Sequence, residues 1–406
     1  MDTRKQVILI VVASLGYFVD IYDLILFNFV KGPSLLAIGV PAEQIREQEI
    51  ILFNWQMAGM LLGGILWGIL GDKKGRLKVL FGSILLYSSA NILNAHVQDL
   101  TQYAVIRFVA GLGLAGELGA GITLVSEMMH RTKRGIGTMI IVTFGALGAV
   151  FGFMVADKFD WKVSYYVGGF MGLALLLLRV GTMESSMFAV VRDDHSVSRG
   201  EFLHLFRSGE RFRRFLYCIG VGLPVWYVVG VLISLSESYF KKYMGFSPDI
   251  SVGEATLFCY IGLSLGDLVS GLLSQVLKSR RMVIFLYLLL CMLLTLYYVF
   301  MGPSIGRTGF NILCLVLGAA TGYWALFVMV AAEQFGTNLR ATVTTSAPNF
   351  VRGSVIPITL AFKTIAGDGA HTMQATLVTG GLIFAIALYS TFRLKESFDK
   401  DLDYTE

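Results

Sequence analysis

The sequence predicts an all-α membrane protein of twelve transmembrane helices arranged as two pseudo-symmetric six-helix bundles, and three observations carry that prediction. Hydrophobic residues make up 55% of the 406 and charged ones only 15%, with a mean hydropathy of +0.68. That is more apolar surface than a water-soluble interior can hide. Crossing the hydrocarbon core takes about 20 apolar residues per helix, and twelve such stretches follow one another along the chain. The chain also repeats itself. Glu127 is followed seven positions later by Arg134-Gly135, and 206 residues further on Glu333 is followed at the same spacing by Arg340-Ala341. Gly59, Gly63 and Gly68 recur as Gly262, Gly266 and Gly271, and Glu184-Ser185 recurs as Glu396-Ser397.

The first stretch, roughly 6–30, follows Arg4 and Lys5 as a secretory leader would, but it is too long for a leader's apolar core and lacks a small-residue cleavage site, so it reads as helix 1. Helices 2 to 6 follow at roughly 49–71, 78–97, 100–126, 135–156 and 161–182, giving a first bundle over 1–182. The polar segment 183–213 holds Arg192-Asp193-Asp194-His195 and a basic amphipathic stretch from Phe202 to Arg214. It reads as a tether between the bundles lying on anionic headgroups. Helices 7 to 12 at roughly 214–239, 253–277, 282–301, 309–332, 342–366 and 372–392 form the second bundle, which with a short tail fills 214–406. Pro224, Pro348 and Pro357 are expected to interrupt helices 7 and 11. Cys218, Cys259, Cys291 and Cys314 all fall inside spans and read as small packing residues.

Lys and Arg in loops on alternate sides number 22 against 7, which places both termini in the cytoplasm of a cell whose inner membrane holds the chain. The net charge of +5 is this loop bias and not a nucleic-acid surface. The chain has no paired metal ligands, no Gly-x-Ser-x-Gly and no phosphate-cradling loop, and its five histidines (His96, His130, His195, His204, His371) are scattered. These absences argue against an enzyme, a metal, a cofactor or ATP-driven work. Parallel halves in a membrane protein point instead to a transporter whose substrate site lies where the halves meet, with a small molecule, protons and the bilayer as partners of a monomer.

Between helices 2 and 3 the chain reads Gly68-Ile69-Leu70-Gly71-Asp72-Lys73-Lys74-Gly75-Arg76. The glycines let helices approach and the turn close, and Asp72 is placed to accept from a neighbouring helix N-terminus, a latch holding one side shut. This string resembles the signature loop of the major facilitator superfamily. Arg107-Phe108-Val109-Ala110-Gly111, Glu127 to Gly135, Glu184-Ser185-Ser186, Glu333 to Thr342 and Lys395 to Asp403 are similar to the motifs of its sugar porters and metabolite:proton symporters. The resemblance implies alternating access, with Gly68, Asp72, Gly75, Arg76, Glu127, Arg134, Glu333 and Arg340 as gating residues. The second copy of the latch, Leu277-Lys278-Ser279-Arg280-Arg281, lacks the acid. Met183 and Ser186 stand where the branch usually has prolines, and helix 7, Gly222 to Gly230, lacks the amides that sugar porters use to hold hydroxyls.

Seven ionisable residues lie within spans: Asp20, Asp23, Arg107, Glu117, Asp267, Arg352 and, nearer an end, Lys363. Buried in lipid they mark function. Helical rise puts Asp23 and Arg107 at one level, roughly 26 and 28 Å from the cytoplasmic boundary, and Glu117, Asp267 and Arg352 near the midplane at roughly 15 Å. Tyr22-Asp23 is similar to the helix 1 Tyr-Asp of sugar porters, which implies Asp23 as the proton site and Arg107 as its partner, with Asp20 as the rival carboxylate and Glu117 in the cavity. A permanent Asp23–Arg107 pair that merely fixes helices 1 and 4 is the alternative. Arg352, after Asn349, either neutralises Asp267 or grips a substrate carboxylate. Tyr17, Trp226, Tyr227, Tyr323 and Trp324 are candidate stacking residues. The expected function is proton-coupled import of a small metabolite, an organic anion first and a sugar or polyol second. Proton-antiport efflux of a drug or siderophore is the opposing transport class.

Overall fold

The computed structural model describes residues 3–129, 131–179, 202 and 204–398, excepting the side chains of 3–6, 76, 126–128, 131–134, 204 and 206. The Arg192 to His195 stretch, Glu184-Ser185, the tail beyond 398 and the side chains of Arg76, Glu127 and Arg134 therefore lie outside the described residues.

The first half consists of α1 (Thr3–Ala37), α2 (Ile45–Lys74), α3 (Arg76–Asn94), α4 in two pieces (α4a, Leu100–Leu114; α4b, Glu117–Met128), α5 (Arg131–Lys158) and α6 (Trp161–Leu178). The second comprises α7 (Gly209–Tyr227, widening into π-helical turns at Val228–Ile233 and Ser236–Lys241), α8 (Val252–Leu277) and α9 (Arg280–Met301). It is completed by α10 (α10a, Arg307–Thr321; α10b, Trp324–Glu333), α11 (α11a, Arg340–Gly353; α11b, Val355–Ala366) and α12 (Thr372–Arg393). Asp99, Asp160, Ser251 and Ser279 start α4a, α6, α8 and α9 by accepting from free first-turn N–H groups. Gly75, at φ 98°, makes the sharp α2–α3 turn that a side chain would strain.

Among the described residues, eleven helical spans are long and apolar enough to cross a bilayer. The twelfth, α11, fails that measure because its first piece carries Thr342, Thr344, Thr345, Ser346, Asn349 and Arg352, all buried. Polar side chains at this depth are tolerated because they face protein, and their hydroxyls bond back to the preceding turn, Thr344 to the Arg340 carbonyl at 2.6 Å and Ser346 to the Thr342 carbonyl at 2.5 Å. The prolines act differently from expectation. Helix continues through Pro224 and Pro348, and the break at Ser354 puts Pro357 in the first turn of α11b, where its missing N–H is not needed. The breaks in α4 and α10 contain no proline. Gly116 abuts Trp67 and Ser83, and Gly322 lies so close to the Gly266-Asp267 backbone that a methyl group there would overlap it.

The repeated glycines do the same work in both halves. A methyl at Gly59 or Gly63 would overlap the Phe108 or crowd the Leu112 carbonyl of α4a, and one at Gly262 or Gly266 would overlap the Leu315 or Ala319 carbonyl of α10a. The third of each set faces the opposite half: Gly68 meets Thr342 on α11a and Gly271 meets Met139 on α5. The halves thus meet along α2–α11 and α5–α8, enclosing α1, α4, α7 and α10. Outward leucines and phenylalanines such as Leu62, Leu85, Phe170, Leu293 and Leu382 stay exposed for lipid.

Candidate functional site

At the centre, where α1, α7, α10b and α11a converge, Arg352 lies fully buried between the two halves. Its guanidinium Nη2 is 3.5 Å from Asp20 Oδ2 on α1, its Nη1 donates to Asn349 Oδ1 at 3.3 Å, and its Cζ lies 5.9 Å from the ring centroids of both Trp226 and Trp324. Trp324 Nε1 donates to the Tyr17 hydroxyl at 3.1 Å. Tyr17, Trp226, Tyr260, Trp324 and Arg352 line a cavity of about 20 Å³, room for about one water. Asn349 ties this centre to the break in α4, donating to the Ala115 carbonyl at 2.8 Å.

Several expectations are revised here. Arg352 does not neutralise Asp267, whose Oδ1 instead accepts the Ala325 N–H at 2.9 Å and so caps the start of α10b, where the helix dipole favours an anion. Arg107 does not pair with Asp23. It donates to Gln56 Oε1 and lies 4.7 Å from the Phe27 ring, while the Asp23 carboxylate, wholly buried against Gly168, accepts no hydrogen bond. Tyr227 and Tyr323 point away from the cavity, their hydroxyls donating to the Thr376 and Val221 carbonyls at 2.7 and 2.9 Å. Lys363 is on the outside, 3.5 Å from Glu47.

Glu117, at the start of α4b, is gripped by both guanidinium nitrogens of Arg179, Nη1 to Oε2 at 3.1 Å and Nη2 to Oε1. Nothing in the sequence marks Arg179, because it sits at the predicted end of helix 6, where an arginine is ordinarily a loop charge. Only its burial, at 1% exposure, reveals it.

The face that carries the α2–α3 turn and the end of α12 is closed. Asp72 accepts from the Ala341 N–H at 3.2 Å, the Thr342 N–H at 2.7 Å and the Thr342 hydroxyl at 2.5 Å, capping α11a across the halves. In the second half Glu333 accepts from Ser397 Oγ at 2.8 Å and lies 3.8 Å from Arg280, and Arg340 reaches the Ala332 and Phe335 carbonyls, each at 3.4 Å. Glu396 caps α9 through the Arg280 and Arg281 N–H groups at 2.9 and 3.2 Å. Partial burial works against its charge, but donation from Ser279 and these backbone groups holds its carboxyl below the ordinary glutamate range.

The opposite face has a vestibule of about 390 Å³, lined among others by Asn28, Lys31, Glu49, Glu237 and Ser251. Lys31 lies 3.1 Å from Glu49 Oε2 and donates to the Ser234 carbonyl at 3.2 Å, between the two π-helical turns of α7. Arg46 donates to the Tyr243 hydroxyl at 2.7 Å and thereby holds that phenol below its ordinary range. In the sequence these cations are only loop charges. Their reach to α7 depends on how the halves dock.

Residues 13–360 match the sequence pattern of the Major Facilitator Superfamily. The chain is 26% identical over 385 residues to the niacin transporter NiaP of Acinetobacter baylyi, covering 85% of this chain and 84% of that one. It is 26% identical over 380 residues to the 3-(3-hydroxy-phenyl)propionate transporter of Escherichia coli, covering 90% and 91%. In fold it superposes on the solved structure of the proton:xylose symporter XylE with a TM-score of 0.72, over 99% of this chain and 98% of that one, at 15% identity.

Proposed function

This chain belongs to the Major Facilitator Superfamily, and we propose that it is a proton-coupled symporter importing small organic anions, aromatic carboxylates foremost, across the inner membrane with both termini in the cytoplasm. The observation that carries this reading is the Arg352 centre. A guanidinium is a two-pronged donor matched to a carboxylate, and here it is flanked by two indole rings able to stack on a planar substrate. Niacin and 3-(3-hydroxy-phenyl)propionate, for which two relatives are named, both join a ring to a carboxyl group.

Arg352 is held by Asp20. A substrate carboxylate and an ionised Asp20 compete for one cation in a closed, low-dielectric site, so binding is favoured when Asp20 takes a proton. By reciprocity, bound substrate favours that proton. Coupling follows: the carrier reorients either with substrate and proton together or with the Asp20–Arg352 pair re-formed, and both arrangements are neutral. Asp20, rather than Asp23, is in this reading the carboxylate that exchanges its partner. The loop-charge bias assigns the latched face to the cytoplasm, which makes the vestibule the substrate's way in.

Purified protein in liposomes tests this reading. With an inward proton gradient, nicotinate, benzoate or 3-(3-hydroxyphenyl)propionate is expected to accumulate, to do so only while the gradient lasts, and to be outcompeted by one another but not by nicotinamide or xylose. Arg352→Ala should weaken apparent affinity by at least about tenfold, the loss of a charge-assisted hydrogen bond. Equal competition by the neutral compounds, with Arg352→Ala unchanged, would refute the anion assignment.

A further inference from the structure

Away from the path between the halves, the first half contains a continuous row of buried hydroxyls. Ser34 Oγ lies 3.0 Å from Tyr103 OH, and Tyr103 OH lies 2.6 Å from Tyr165 OH, joining α1, α4a and α6. All three residues are fully buried. The outer end adjoins the vestibule: the Lys31 carbonyl, 3.1 Å from Ser34 Oγ, is a second acceptor between which and Tyr103 the single Ser34 proton can turn, and Lys31, Gly32 and Pro33 form the vestibule wall. At the inner end, Tyr165 precedes Gly168 by one helical turn, and Gly168 is the residue against which the Asp23 carboxylate packs. Asp23 has no hydrogen-bond partner for either oxygen, nor does the Asn91 amide at either end. Unsatisfied buried polar atoms clustered in this way are the setting in which proteins place a bridging water, and one such water would carry the link from Tyr165 to Asp23. Asp23 is in turn one turn from Asp20 on α1, close enough for the two side chains to be neighbours.

The geometry points to a proton conduit through the first half, Ser34 to Tyr103 to Tyr165 to Asp23 and on to Asp20, that delivers the coupling proton from the vestibule by a route separate from the substrate's. The inference rests on the symport reading above. Either oxygen in each link can donate, so the row can be polarised inward. A hydronium ion at the vestibule end then loses one proton to become water, each hydroxyl accepts one proton as it passes its own on, and the Asp23 carboxylate becomes a carboxylic acid. No oxygen along the row is left charged. The route spans the 11 residues of α1 from Ser34 to Asp23, about 16 Å at 1.5 Å per residue. Other ionisable groups around Asp23 are Asp20 and Tyr22 on α1, Tyr87 on α3 and Arg107 on α4a. Arg107 lies one turn from Tyr103, and its charge disfavours a free proton resting between Tyr103 and Asp23, so transfer is concerted.

The test uses the whole carrier in liposomes loaded with a pH-sensitive dye, with nicotinate as the probe substrate. Tyr103→Phe, Tyr165→Phe and the double variant are expected to slow substrate-linked proton uptake by about tenfold or more, the scale of a lost proton-transfer group. Exchange of labelled for unlabelled nicotinate without a gradient, and the melting temperature, should stay at wild-type values. Wild-type proton uptake by the double variant would overturn the conduit. Should the tyrosine variants melt early, Ser34→Ala decides: slowed proton uptake with intact exchange supports the conduit, and unchanged uptake overturns it. A wild-type protein that moves nicotinate without moving protons would sink the symport reading itself, a different result from a wild-type carrier whose phenylalanine variants behave normally.

Discussion

Two buried carboxylate–guanidinium pairs lie near the middle of this molecule, and they are built to opposite ends. Glu117 and Arg179 belong to one half, and both oxygens are met by both terminal nitrogens. Asp20 and Arg352 belong to different halves, touch once at 3.5 Å, and leave both Asp20 oxygens without a hydrogen bond. Each pair is at most 1% exposed, so burial does not distinguish them. Saturation does. A pair in which both carboxylate oxygens are met by the fork of the guanidinium is a fixture, whereas one held by a single long contact across a moving interface is able to change partners.

The largest effect that separates them is on stability. Arg179→Ala strands Glu117 as an uncompensated buried charge, and a loss of about 3–5 kcal/mol is expected, read as a steep fall in melting temperature. The double variant Glu117→Gln/Arg179→Ala should recover part of it. If Arg179→Ala melts like wild type, the contrast between a fixed pair and an exchangeable pair fails. The next effect is on coupling. Asp20→Asn should reduce gradient-driven accumulation by about tenfold or more and spare exchange. Retained uphill uptake would move the coupling role to Asp23.

The two-half plan is legible in the sequence because the glycines that let α2 pack on α4 and α8 on α10 are spaced alike in both copies. Asp72 is legible for a related reason: an acid at the end of one helix, in a turn too short to do anything else, has a helix terminus as its natural partner. The central site is legible only as a set. Arg352, Asp20, Tyr17, Trp226, Trp324 and Asn349 stand out as polar or aromatic residues in spans, but rise along a helix gives depth and not rotation, so depth alone pairs Asp23 with Arg107 and Arg352 with Asp267. Rotation about the axis turns Asp23 into the first half and Asp20 towards α11a, and it turns Tyr227 and Tyr323 away from the cavity. The breaks in α4 and α10 come from helix-to-helix contact at Gly116 and Gly322, which no local pattern records.

A second comparison across the pseudo-symmetry sharpens the latch. Asp72 caps α11a, while its counterpart Gln275 lies against Gly135 of α5. The acid is absent because α5 starts at Arg131, four residues before Gly135, so the Gly135 N–H already falls inside the helix. α11a starts at Arg340, which leaves the Ala341 and Thr342 N–H groups free. Asp72→Ala is therefore expected to favour opening at that face by about 1–2 kcal/mol, the scale of a lost cap. The readout is faster thiol labelling of a Ser346→Cys probe, against a low background because the four native cysteines are buried. Gln275→Asp should have no stabilising effect, and a gain in closure there would break the explanation.

The smallest effect concerns Glu396, which caps α9 beside the bulk phase. Its carboxyl is held below the ordinary value of 4.5 in the folded protein, so its contribution is fully present above about pH 4.5 and fades as the pH falls through the depressed folded value. Glu396→Gln should lower stability by about 1 kcal/mol near neutrality, as for loss of a helix cap. The gap in melting temperature between the two proteins should stay flat from neutral pH down to about 4.5 and then shrink. A gap that widens on acidification would mean that Glu396 titrates above its ordinary value, and that the donors converging on it from Ser279, Arg280 and Arg281 do not stabilise its charge.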